Sequence, residues 1–294
     1  MTSSSVPFRQ ALRYHGSKWR LAPWLISHFP EHECYCEPFA GACSVLLRKV
    51  PARFECVNDL DSEIVNFFRV LRERPGELIQ QIKLTPWSRE EQLLAFEAAP
   101  NDPLERARRL YVRSWQTRGG PRTQWHSGWR FHFRLTRMAP PNTLKHWQET
   151  AHLQTVAQRL LNVQIEHDDA IKVIKRFDAP GTLFYVDPPY LAHTRSQRWG
   201  EHAYIHEMTE QQHLELSEVL HNIAGMAVIS GYISPLYTEL YGDWSVFSKN
   251  TVNERAGPSV EYIWISPAAA ERQQHVLELD WFSPALNKRS VSDA

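Results

Sequence analysis

No run of about eighteen apolar residues occurs in this chain of 294 residues, so no membrane-spanning helix is expected. Met1-Thr2-Ser3-Ser4-Ser5 does not open a basic-then-apolar leader, and the chain reads as soluble and cytoplasmic. Charge of one sign is missing as well: 33 Lys and Arg balance 33 Asp and Glu, so only a local cluster could attract a polyanion. Cysteine is sparse. Cys34, Cys36, Cys43 and Cys56 lie near His28 and His32 but lack the paired C-x2-C spacing of a zinc site, so buried reduced thiols are expected and no metal. The G-x-G-x-x-G fingerprint is absent too, which disfavours a nicotinamide-dependent dehydrogenase, and no internal repeat is visible.

What is present is an ordinary globular composition, 43% hydrophobic with 11 Trp, of a length for one or two domains. Cys34-Tyr35-Cys36 leads into Glu37-Pro38-Phe39-Ala40-Gly41 and a helix-compatible run from Ser44 to Val50. Phe54 to Val57 is a second strand, after which Asp61 caps a helix carrying Ile64, Val65, Phe68 and Leu71 at helical spacing. Helical patterns over Glu90 to Ala99, Leu104 to Gln116 and Leu144 to Leu161 interrupt the alternation. Strands resume at Val163 to Glu166, Thr182 to Val186 and Met226 to Ser230, with a helix from Thr209 to Ile223. Trp244 to Ser248 and Val260 to Ile265 form a late pair around a Gly257-Pro258 loop, and a polar tail follows Pro267. Such alternation implies a mainly parallel sheet with ligands at the carboxyl ends of its strands.

Leu183-Phe184-Tyr185-Val186 delivers Asp187-Pro188-Pro189-Tyr190 to such an end. The two prolines stop the strand and stiffen the turn. A carboxylate and a free carbonyl at one place can accept both hydrogens of an adenine amine, localising its lone pair and stabilising the charge that develops on methylation; Tyr190 can stack on the base. On the tetrapeptide alone, a plain strand-ending turn is an equal reading.

Around that tetrapeptide the chain resembles the DNA adenine methyltransferases of the Dam type, the D12 class, over residues 8–70 and 160–266. Asp187-Pro188-Pro189-Tyr190 matches the family's catalytic motif, Arg13-Tyr14-His15-Gly16-Ser17-Lys18 its amino-terminal cofactor motif, Glu37-Pro38-Phe39-Ala40-Gly41-Ala42-Cys43-Ser44 its cofactor loop, and Asn58-Asp59 its acidic second-strand end. The resemblance implies a Rossmann-like class I α/β fold that binds S-adenosylmethionine. It implies Asp59 on the ribose, Tyr14 and Lys18 at the methionine end, Gly41 in close backbone approach, and Glu37, Pro38, Phe39 and Asp187 lining the pocket. Asp169 would accept from the cofactor's adenine amine, with Asp168 the adjacent alternative. Cys43 departs from the pattern by standing where the family usually has a second glycine, so the thiol either narrows the pocket or turns into the following helix.

Between Arg106 and Arg137 the chain has nine arginines, no Asp, Glu or Lys, and interleaved Trp115, Trp125, Trp129, Phe131 and Phe133. Arg106, Arg108 and Arg109 suit a solvated helix face, with Tyr111 and Trp115 in a small core. Arg118, Arg122, Arg130 and Arg134, with Arg195 after the catalytic turn, are the expected contacts to double-stranded DNA. His206 and His213 suit caps or core hydrogen bonds. The expected organisation is a discontinuous catalytic domain (8–75 and 160–268), a target-recognition insertion of helices and loops (76–159) and a tail (269–294). Rival readings are a methyltransferase for cytosine N4, RNA adenine or protein glutamine, and an idle DNA-binding regulator of the same fold.

Overall fold

Short apolar runs build the sheet. The computed structural model describes residues 7–14, 16–98, 100–118, 128–130, 143–194, 205–253 and 257–282. Its strands are β1 (Cys34–Glu37), β2 (Phe54–Asn58), β3 (Val163–Glu166), β4 (Thr182–Val186), β5 (Met226–Gly231), β6 (Ser245–Asn253) and β7 (Gly257–Ile265). They lie in the order β3-β2-β1-β4-β5-β7-β6. The first five are parallel, and β7 enters antiparallel between β5 and β6.

The helices are α1 (Ala22–Ile26), α2 (Ser62–Glu73), α3 (Pro75–Leu84), α4 (Arg89–Leu94), α5 (Pro103–Gln116), α6 (Thr143–Gln148), α7 (Ala151–Arg159), α8 (Ala170–Phe177), α9 (Glu210–His221), α10 (Pro235–Leu240) and α11 (Pro267–Phe282). Parallel strands need cover on both faces, and all five residues of β4 are buried. Strand alternation sends Tyr35, Val57, Leu183 and Tyr185 to one core with Phe67 and Tyr111, and Cys36, Cys56, Phe184 and Val186 to a second with Leu216 and Tyr237. The strand order reverses between β1 and β4, so their carboxyl ends open a crevice there.

Of the helices between β2 and β3, α3, α5 and α7 pack on α2, and α4 packs on α5. Phe67 stacks on Tyr111 with ring centroids 6.3 Å apart, and Arg106 forks onto Glu63. Tyr111 and Trp115 are buried as expected. Asp61 caps α2 through Glu63 N at 2.9 Å, and Thr209 with Gln212 forms a capping box on α9.

Several elements differ from expectation: α1, α3, α8 and α10 are additional to it, the helix expected over 90–99 ends at Leu94, and four further stretches change. Residues 41–48 form hydrogen-bonded turns in place of a helix, because Leu46 N donates to the Glu37 carboxylate instead of up its own chain. The long helix expected over 144–161 is two helices. The Glu149 carbonyl accepts from Arg9 of the amino-terminal segment, and Leu153 N turns to Thr150 O at 2.9 Å. Gly257 and Pro258 belong to β7, paired with Asn253 and Val252, so the last hairpin is longer than its apolar stretches. From Pro267 to Phe282 the chain is helical, with Ala269 fully buried.

Candidate active site

The first half of the crevice is built by the ends of β1 and β2. Glu37 is buried, and its Oε1 accepts from Tyr35 Oη at 2.8 Å and Leu46 N at 2.6 Å. Burial outweighs those bonds and pushes its carboxyl up to about 8, so it holds a proton at neutral pH. Asn58 ties three strand ends together, donating to Pro38 O at 2.9 Å and Asp168 O at 3.0 Å while accepting from Asp168 N at 2.9 Å. Asp59 accepts from Gly41 N at 2.8 Å and Asp61 N at 2.9 Å, and burial between the crevice walls lifts its carboxyl to about 6.

Gly41 has φ +49°, which side chains rarely adopt, while a Cβ there would make only an ordinary contact with the Tyr14 ring at 3.4 Å, so the glycine answers to conformation. Cys43 takes φ +53° without being glycine. Its thiol is fully buried in the core, while its neighbours Ala42 and Ser44 face the crevice; the side chain turns inward and leaves the pocket open.

The second half hangs on β4. Asp187 follows the last strand residue, and its Oδ1 lies 2.9 Å from Lys18 Nζ. That ammonium also donates to Gly16 O at 3.2 Å and sits 4.8 Å above the Tyr190 ring. Tyr190 is 7% exposed, edge-on to Tyr232, with its hydroxyl 3.1 Å from Asp187 Oδ1 and 3.2 Å from Glu261 Oε2.

One cleft therefore collects Tyr14, Lys18, Glu37, Pro38, Phe39, Gly41, Asp59, Asp187 and Pro189, residues drawn from four separate stretches of sequence. Pro188 and Tyr190 adjoin it. Asp169 instead caps α8, accepting from Lys172 N at 3.1 Å, and the following Ala170 faces the cleft. Asp168 is held by Arg176 at 2.9 Å. Sequence reasoning missed Ile205 to Met208 and Gln212 on the far wall, Ser17 and Ser44 joined at 2.7 Å on the floor, and Tyr232 and Glu261 behind Tyr190. His213 meets Tyr237 Oη at 3.1 Å in the core, as expected, whereas His206 lines the cleft. Among the described residues no group of three or more His, Cys, Asp or Glu could hold a metal ion, and no helix is long and apolar enough to cross a membrane.

The arginines of α5 are committed rather than free on a solvated face. Arg106 and Arg113 engage Glu63, while Arg108 joins Glu91 and Glu105 and Arg109 joins Glu105. Past the helix, Thr117 bridges Trp129, Arg118 is exposed, and Arg130 donates to Thr117 O at 3.1 Å. Arg122, Arg134 and Arg195 lie outside the described residues.

A mixed seven-stranded sheet in this order, with acids at the ends of β1 and β2 and Asp-Pro-Pro-Tyr at the end of β4, defines an α/β class I methyltransferase. Residues 14–254 match the D12 class N6 adenine-specific DNA methyltransferases, and the chain belongs to that family. It is similar to the Type II methyltransferase M1.LlaDCHI of Lactococcus lactis subsp. cremoris, 24% identical over 264 residues that cover 84% of this chain and 89% of the relative. It is also similar to the DNA adenine methylase of Salmonella typhi, 24% identical over 239 residues covering 79% and 84%. With the DNA adenine methylase of Escherichia coli (strain K12) it shares 32% identity over a shorter stretch of 72 residues, 24% of this chain and 26% of the relative. The enzyme is an adenine-specific DNA methyltransferase.

Proposed function

We propose that the enzyme binds S-adenosylmethionine in the cleft and methylates N6 of an adenine flipped out of double-stranded DNA, in the cytoplasm. The observation that carries this reading is the cleft itself, where the buried Glu37, the half-buried Asp59 and a Cβ-free Gly41 stand with Asp187. These residues fit the cofactor: Asp59 retains lone pairs for ribose hydroxyls, Gly41 leaves room for close approach, and Tyr14, Lys18, Glu37, Pro38 and Phe39 supply a polar and aromatic lining. Asp169, a helix cap beside Ala170, is the acceptor proposed for the adenine ring's amine. When bound, the cofactor supplies an electrophilic methyl group.

The protein's own part is to make an amine nucleophilic. Asp187 and the Pro188 carbonyl accept hydrogen bonds from the two N6 hydrogens, which concentrates the lone pair on nitrogen and stabilises the positive charge that forms as the methyl group is transferred; the cationic nitrogen then releases one proton to solvent. Lys18 orients Asp187 until the amine arrives, and Tyr190 walls the base site. Pro188 and Pro189 hold these groups in one conformation, which lowers the cost of ordering them. Flipping the base costs a few kcal/mol, which stacking in the pocket offsets.

Residues 8–75 and 160–268 carry this chemistry and 76–159 the recognition of target DNA, with 269–294 a C-terminal segment whose first turn packs on the core. Arg118, Arg122, Arg130, Arg134 and Arg195 are assigned to DNA, chiefly to phosphates. The decisive experiment incubates unmethylated duplex DNA with methyl-labelled S-adenosylmethionine and identifies the modified nucleoside. N6-methyladenine is expected; label confined to cytosine, RNA or protein overturns the reading.

A further inference from the structure

Tyr190 is flanked by two carboxylates that approach the same oxygen. Its hydroxyl stands 3.1 Å from Asp187 Oδ1 and 3.2 Å from Glu261 Oε2, yet a phenol has a single proton to donate. Asp187 Oδ1 already has a charged donor, Lys18 Nζ at 2.9 Å. A hydroxyl that also bonded to Asp187 would compete with the incoming amine for an acceptor that the chemistry needs.

Glu261 is placed to take that proton instead. It lies on β7, one residue beyond the Gly231↔Tyr262 pair where β5 and β7 part, so its strand runs past the mouth of the sheet beside the catalytic turn. Its neighbour across the hairpin is Lys249, whose ammonium is turned to the Trp24 ring at 5.8 Å. Tyr232, just after β5, meets the Tyr190 ring edge-on at 4.8 Å and packs it from the side.

We infer that Glu261 is a positioning residue of the methyl-transfer site: it accepts the Tyr190 hydroxyl proton, which fixes the aromatic wall of the base pocket and leaves Asp187 open to Lys18 and the substrate amine. The inference rests on the function proposed above and adds a member to the site from β7. Glu261 acts through Tyr190 and has no contact with the reacting atoms in this role.

A double-mutant cycle tests it on the full chain. Steady-state methylation of unmethylated duplex DNA is measured for wild type, Glu261→Ala, Tyr190→Phe and the double variant, with thermal melting of each. A lost hydrogen bond to a charged acceptor corresponds to a fall in kcat on the order of tenfold for Glu261→Ala, with KM for the cofactor unchanged. Glu261→Gln, which keeps an acceptor oxygen, should restore most of it. In the Tyr190→Phe background, Glu261→Ala should have no further effect, since the hydroxyl it holds is gone. Wild-type kcat in Glu261→Ala overturns the inference, as does an equal loss in both backgrounds or a loss that follows a fall in melting temperature. Absence of adenine methylation in the wild-type arm would overturn the function itself, so the two failures are told apart.

Discussion

The two halves of the cleft hold their carboxylates in different ways. On the β1 and β2 side, Glu37 and Asp59 are gripped by backbone N–H groups of Leu46, Gly41 and Asp61. On the β4 side, among the described residues, Asp187 is gripped by a side chain, the Lys18 ammonium. Backbone partners cannot leave without unfolding the turn, whereas a lysine can swing away. On the function proposed, the cofactor side is thus a preformed mould, and on the substrate side Lys18 is a replaceable partner that an incoming amine can displace.

The comparison breaks most visibly at Asp187. Asp187→Ala removes the acceptor and should lower turnover at least a hundredfold, while cofactor binding measured by calorimetry survives, because no backbone bond of the mould depends on it. Unchanged turnover would remove Asp187 from the chemistry. The mirror experiment is Asp59→Ala. It frees two backbone donors and should weaken cofactor binding on the order of tenfold, with kcat at saturating cofactor little altered. A fall in kcat alone would mean that the two halves are not separable.

A smaller effect comes from Glu37. Unfolded, its carboxyl titrates near 4.5, and folded it titrates near 8, so between those values the native protein holds a proton that the unfolded chain has released. The contribution of Glu37 to stability without cofactor therefore falls as pH rises through that window. Melting curves across it should show the decline, and Glu37→Gln should flatten it. A slope unaltered in the variant would mean that the buried carboxyl is already ionised. The smallest effect belongs to Cys43→Gly. Relief of the left-handed backbone, worth about 1–2 kcal/mol, is offset by lost thiol burial and by a looser unfolded chain. Cofactor affinity should stay within about twofold of wild type, and a larger change would show that the thiol shapes the cleft after all.

Much of this was legible along the chain because it is local. Apolar runs announced every strand, Asp61 and Thr209 announced their helices, and the four motifs each lie within a short stretch, three of them at a strand end. What stayed hidden depends on distant partners. The turn after Gly41 is unlike a helix only because Glu37 captures Leu46 N, and the break at Thr150 follows from Arg9, far off in sequence. Glu261 reads as one more polar residue of an edge hairpin until the sheet sets it against Tyr190. The same blindness affected the arginines of α5: their helical spacing suggested a solvated face, but the acids that engage them come from α2, α4 and their own first turn.

The Thr117 to Trp129 bridge has a consequence for how such an enzyme can change over generations. The backbone at the end of α5 pairs with residue 129, and neither Thr117 nor Trp129 belongs to the seven-stranded sheet. On the division of labour proposed above, substitutions at this bridge leave the wiring of Asp187, Lys18 and Asp59 in place, so selection is able to alter which DNA is chosen while leaving untouched what is done to it.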